Sequence, residues 1–91
     1  MEFEWDGAKS DRNQHIRGLS FADAAMIFEG PTVETADSRH AYGEIRVKAI
    51  GRIDDEIYVV IYTDRRDVRR IISARRANKK ERKQWRSFEN L

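Results

Sequence analysis

Glu56-Ile57-Tyr58-Val59-Val60-Ile61-Tyr62-Thr63 is the stretch whose reading decides the fold. Every residue after Glu56 is β-branched or Tyr, the types that suit a pleated strand. Both faces of the run are apolar, as expected of a strand buried on both sides at the centre of a sheet. Ahead of it Asp54-Asp55 predicts a tight turn, preceded by residues 44–53, where Ile45, Val47 and Ala49 alternate with Arg46 and Lys48. Behind it a turn over residues 64–67 leads to another strand over residues 68–74. Three strands joined by short turns read as an antiparallel meander.

Further out, residues 33–35 suit a short strand and residues 37–41 a polar loop. Phe3 and Trp5 alternate with Glu2 and Glu4, which predicts a first strand. Residues 6–17 form a weaker helix candidate that starts near Asp6 and ends at Gly18. Ser20 with Asp23 opens a second helix whose Phe21, Ala24, Ala25 and Phe28 share one face, and Gly30-Pro31 stops it. Phe21, Ala25 and Phe28 are expected to cover one face of the 57–63 strand. Asn78 and Glu81 predict a capping box that opens a last helix. The expected fold is α+β: two N-terminal helices and a C-terminal helix packed with an antiparallel sheet of four to five strands. Ninety-one residues make one domain, 1–91.

The composition is globular but polar, with 40% hydrophobic and 37% charged residues. No apolar run approaches the ~18 residues of a membrane span, and the opening residues lack a signal-peptide pattern, so a cytoplasmic protein without membrane association is expected. Zero cysteines excludes disulfides, thiolate metal sites and thiol nucleophiles. The net charge of +2 is unevenly spread. Residues 1–64 carry seven Lys/Arg against thirteen Asp/Glu, a net −6, and residues 65–91 carry eleven against three, a net +8. A surplus of that size points to a polyanionic partner such as nucleic acid. The five glycines form neither a dinucleotide fingerprint nor a P-loop, which argues against a nucleotide-binding enzyme.

Several stretches together resemble one known family. They are Phe3-x-Trp5-Asp6-x-x-Lys9 with Asn13, Gly18-x-Ser20-Phe21-x-x-Ala24, Asp37 with Tyr42-Gly43-Glu44-x-Arg46 and Gly51, and the run Arg70-Ile71-Ile72-Ser73-Ala74-Arg75-Arg76-Ala77-x-Lys79-Lys80-Glu81-Arg82. The chain is similar over nearly its whole length to the BrnT toxins of type II toxin–antitoxin systems. The resemblance implies a RelE-like fold and an endoribonuclease that inhibits translation with no bound metal or cofactor. It also implies a BrnA-like ribbon-helix-helix antitoxin, the two together repressing their own operon through operator DNA. This chain departs from the family pattern at two places, with Ile16-Arg17 where relatives carry Lys-His and Trp85 where they carry Tyr. An arginine stays protonated near neutrality, so Arg17 cannot replace a histidine as base.

Cleaving RNA by 2′-hydroxyl attack requires cations at the phosphate and groups that move protons. Arg75 and Arg76, at the junction of the last strand and last helix, are the expected phosphate-stabilising pair, because guanidinium forks match phosphate geometry. His40 and Glu44 complete the candidate catalytic set. His15 and His40 are the only imidazoles, and Tyr42, Tyr62 and Asp64 are further candidate proton carriers, although Tyr58 and Tyr62 share one strand face, where core packing is the expected role. Lys79, Arg82, Lys83 and Arg86 form one stripe of the last helix and, with Arg70, are the expected RNA-binding residues. Trp85 and Phe88, with Glu81 beside them, lie on another face of that helix. A solvated surface, or a nucleic-acid-binding module without catalysis, would show the same basic segment. A degenerate toxin acting as co-repressor would do so too. The two histidines find no further ligands at a metal-site spacing.

Overall fold

The computed structural model describes residues 1–37 and 43–91. Five strands, β1 (Glu2–Trp5), β2 (Val33–Ala36), β3 (Val47–Ile53), β4 (Glu56–Arg65) and β5 (Val68–Arg76), form one sheet in the order β1-β5-β4-β3-β2. The helices are α1 (Gly7–Arg17), α2 (Phe21–Ala24), which continues as a 3-10 helix over Ala25–Glu29, and α3 (Lys79–Glu89). The central place of β4 follows from its apolar faces. Val59 and Ile61 point to one side and Val60 and Tyr62 to the other, and all four are buried.

Both hairpins turn on two residues. Ile53 pairs with Glu56 around Asp54-Asp55, and Arg65 pairs with Val68 around Arg66-Asp67. Asp54 and Arg66 take φ of 54° and 58°, the left-handed backbone that two-residue hairpin loops demand. The second turn is narrower than residues 64–67, because Asp64 and Arg65 still pair with Arg69 and Val68.

The structure corrects the sequence reading in three places. The sheet is mixed rather than antiparallel: β1 runs parallel to β5, from Glu2 opposite Val68 to Trp5 opposite Ile71. Period-two alternation marks a strand and its faces but carries no information on direction. Only a short hairpin would force an antiparallel pairing, and most of the chain separates these two strands. The second helix is one α-turn continued as 3-10 helix, so the N-terminal part holds one full helix rather than two. Its 3-10 section seats Ile27 directly on Gly51 of β3, where an added Cβ would stand 2.7 Å from the Ile27 Cβ. The strand expected from residue 44 starts at Val47. The pairing with β2 gives way there to one bond from Asp37 N–H to the Arg46 carbonyl (2.8 Å), and Ile45 is 79% exposed.

Phe21, Ala24 and Ile27 pack with Ala49, Val60, Tyr62, Ile71 and Ala74 on one face of the sheet. Ala25 and Phe28 join them half-buried, so the predicted helix covers the Val60 and Tyr62 side of β4. On the other face Ile50, Val59 and Ile61 pack with Ala77 and Trp85. The capping box of α3 is present as read: Glu81 N–H donates to Asn78 Oδ1 and Asn78 N–H donates to Glu81 Oε1, each at 2.8 Å. No described helix is long and apolar enough to cross a membrane.

Candidate nucleic-acid interface

Helix α1 buries little of itself; Ser10 is its one buried residue. Asp6 caps its start by accepting from the N–H groups of Ala8 and Lys9, and Gly18 closes its end at φ 69°. What places the helix is the edge of β5. Strand β1 stops opposite Ile71, and beyond it Asn13 Nδ2 donates to the Ala74 carbonyl (3.1 Å) and to that of Leu19 (2.7 Å). Arg17 Nη1 also donates to the Ala74 carbonyl, at 3.3 Å. Ser10 Oγ accepts from Phe21 N–H at 3.0 Å, tying α1 to α2.

One face of α1 therefore becomes the wall of a cleft of about 380 Å³, formed by Lys9, Arg12, Asn13, Ile16 and Arg17. These residues recur at the i, i+3, i+4, i+7, i+8 spacing of a single helix face. The floor comes from Ile61, Ile72 and Ser73, with Asp37 and Arg46 opposite α1. A β-bulge shapes that floor. Ile61 pairs with Ser73 but Tyr62 pairs with Ile71, so Ile72 is the extra residue, and Ile72 and Ser73 both line the cleft. Bulges re-aim side chains in this way.

A second pocket of about 220 Å³ shares Lys9, Arg46 and Ile72 with the first and adds Asp6, Glu44, Arg65 and Arg70. The two form one trough in which six cations meet three carboxylates. Four of the six cations come from residues 1–64, the part of the sequence whose net charge is negative. Within the trough Arg65 Nη2 donates to Glu44 Oε2 at 3.1 Å, and Arg46 Nε lies 3.8 Å from Glu44 Oε1. Arg70 Nη1 lies 3.6 Å from Glu4. Next to the trough Arg75 donates through both terminal nitrogens to Glu81 (2.7 and 2.9 Å), and Lys48 also pairs with Glu81. The Arg75 hydrogen bonds, together with those from Lys48 and Asn78 N–H, outweigh the effect of burial and hold the Glu81 carboxyl down at about 2.

The sequence-derived candidates divide among several places. Glu44 and Arg70 line the trough. Arg75 lines neither pocket but stands two residues beyond Ser73 on the same face of β5, and Arg76 does not accompany it: successive residues of β5 face opposite ways, and Arg76 stands 70% exposed, 3.9 Å from Glu56. Lys79, Arg82, Lys83 and Arg86 are exposed on α3. Arg82 folds back to donate to the Ala77 carbonyl at 2.8 Å. His40 and Tyr42 lie outside the described residues. Sequence reasoning missed Lys9, Arg12, Arg46 and Arg65 as partners of one site; their signal on α1 is the cationic stripe itself.

Tyr62 and Asp64 belong to a cluster on the opposite face. Tyr62 Oη donates to Glu34 (2.6 Å), and Arg69 lies 3.9 Å above the Tyr62 ring while donating to both Asp64 oxygens (2.8 and 3.0 Å). Burial, then the bond to Glu34, push the Tyr62 hydroxyl well above its ordinary value, which unsuits it to proton transfer near neutrality. The hydrogen bond to Asp64 raises Arg69 further. Among the described residues no three His, Cys, Asp or Glu side chains gather as metal ligands would.

A family model described as "Ribonuclease toxin, BrnT, of type II toxin-antitoxin system" matches residues 5–81. The chain belongs to the BrnT family. Membership makes it a toxin of a type II toxin–antitoxin system from a ribonuclease family, with RNA as substrate and an antitoxin as partner. The match to BrnT spans all six trough cations, Arg75 and Glu81, and stops before Arg82, Lys83 and Arg86. No curated protein matches the chain.

Proposed function

We propose that the trough binds single-stranded RNA and cleaves it internally. In this reading a 2′-oxygen attacks the adjoining phosphorus, the bond to the 5′-oxygen breaks, and a cyclic phosphate and a 5′-hydroxyl result. Arg46 and Arg70 face the phosphate, where preorganised donors supply commonly the largest part of catalysis. Glu44, held between Arg46 and Arg65, takes the 2′-hydroxyl proton, and His40 is the candidate donor to the leaving oxygen. Arg75 supports the phosphate from the α3 side, while Lys79, Lys83 and Arg86 steer RNA from outside. The observation that carries the reading is the convergence of six cations from α1, β4, β5 and the segment before β3 on one trough.

The RelE-like fold, inhibition of translation, cytoplasmic action and cleavage without a metal belong to the same reading. So does silencing by a ribbon-helix-helix antitoxin that represses the operon together with the toxin. These rest on the resemblance of the sequence motifs. The test is incubation of the purified protein with total RNA, with and without EDTA and with and without antitoxin. Internal cleavage that survives EDTA and stops with antitoxin is expected. RNA binding without cleavage would replace the enzyme with a binding module.

A further inference from the structure

Among the described residues Glu81 is the one charged residue that is buried, at 2% exposure. Its Oε1 accepts from Arg75 Nη1 (2.7 Å) and Asn78 N–H (2.8 Å), and its Oε2 accepts from Arg75 Nη2 (2.9 Å) and pairs with Lys48 Nζ. A helix cap needs only the bond to Asn78. The other three contacts gather two cations from β3 and β5, the strands on either side of β4. Lys48 pairs across the sheet with Ile61, and Ile61 with Ser73, two residues that form the trough floor. Arg75 follows Ser73 on the same face. Both cations keep about a third of their side-chain surface accessible, Arg75 at 34% and Lys48 at 29%. Two cations sharing one carboxylate leave the cluster net positive toward an anion.

We infer that Glu81 is a positioning residue that fixes Arg75 and Lys48 as one cationic unit at the α3 end of the trough, where the pair contacts an RNA phosphate. Lys48 thereby becomes a phosphate-binding residue. The inference rests on the ribonuclease reading for its effect on rate, though not for the geometry it asserts. The bidentate bond fixes the plane of the Arg75 guanidinium, and the same carboxylate sets its spacing from Lys48. Displacement of a positioned group by about 1 Å can cost on the order of 10²-fold in rate.

Glu81→Gln separates this role from capping, since Gln also serves in a capping box but presents an N–H₂ to Arg75 and Lys48. Below its melting temperature, the variant is expected to lose about 10²-fold in kcat with KM nearly unchanged. Combined with Arg75→Lys, the two losses should be strongly non-additive, because one acts through the other. Parental kcat in the folded variant, or losses that simply multiply, would overturn the proposal. Nitrogen NMR supplies a readout independent of cleavage. The Arg75 guanidinium should rotate slowly in the parent and freely in Glu81→Gln, and an all-2′-deoxy oligonucleotide should shift the Arg75 and Lys48 signals in the parent. If neither signal responds to the oligonucleotide, the pair does not contact phosphate and the proposal fails. If the parent does not cleave RNA while both signals shift, the ribonuclease reading falls and the positioning of a phosphate site stands.

Discussion

On one face of the sheet Phe21, Ala24 and Ile27 close over Ala49, Val60 and Ala74, and Phe28 adds aromatic contacts to Phe3 (5.7 Å) and Tyr62 (5.3 Å). On the other, α3 covers Ile50, Val59 and Ile61 with Trp85, and the remainder of the floor stays open between cations. The first face is matched apolar surface and serves stability. The second combines a smaller apolar cluster with a buried carboxylate and a charged trough, and serves binding. A small sheet can thus spend one side on folding and leave part of the other for chemistry, provided an edge helix such as α1 walls the open part.

This contrast is most easily broken through the packed face. Ile27→Ala is expected to cost about 2–5 kcal/mol in denaturant unfolding, a large share of a small domain's stability. Gly51→Ala should also destabilise, because its Cβ would collide with Ile27. An unchanged midpoint in Ile27→Ala would show that this face does not carry the fold. Arg46→Ala should instead cut RNA cleavage by about 10²–10³-fold, the scale of one lost preorganised donor. Arg76→Ala, on the opposite face, should have little effect on cleavage. Equal losses for both in a cleavage assay would erase the distinction between the faces.

The sharpest part of the sequence reading concerned elements whose signals are local. The β-branched run of β4, the Asp54-Asp55 turn and the Asn78–Glu81 capping box each sit within a few residues of one another, and each forms as read. The parallel pairing of β1 was not legible, because alternation is blind to strand direction. The trough was legible only in fragments. Arg70 and Glu44 were singled out, but grouping them with Lys9, Arg12 and Arg17 depends on α1 lying along the β5 edge, which no local pattern encodes. The charge split pointed at the C-terminal segment, whereas most trough cations stand in the net-acidic part. Arg75 and Arg76 look equivalent in sequence, yet strand alternation sends them to different sides.

Smaller effects sharpen the comparison. Glu81 titrates near 2 in the fold against an ordinary value of 4.5, so its stabilising contribution is full above about pH 4.5 and lost as pH falls toward 2. Acid unfolding of Glu81→Gln should therefore show a shallower fall in stability across that window than the parent; parallel curves would mean that the carboxylate does not tie α3 to the sheet. RNA affinity should fall with salt at a log–log slope near −4 if all six trough cations contact phosphates, at about −0.7 each. Arg12→Ala should make that slope shallower by about 0.7. The smallest change is expected at Trp85. Its buried Nε1 meets no acceptor among the described residues, so Trp85→Phe gives up no hydrogen bond and should shift the unfolding midpoint far less than Trp85→Ala.

The Ala74 carbonyl held by Asn13 and Arg17 has a consequence for how copies of this chain meet. A sheet rim with open carbonyls and amides is a template on which another polypeptide can add a strand. Past Ile71, where β1 ends, that template is interrupted at the Ala74 carbonyl by two side chains of the protein's own helix. Edge-to-edge growth is thereby blocked on the β5 side by a polar plug rather than by another strand. The outer rims of the two edge strands, β1 and β2, carry no such plug among the described residues, so any strand exchange or fibrous association would propagate from those two rims.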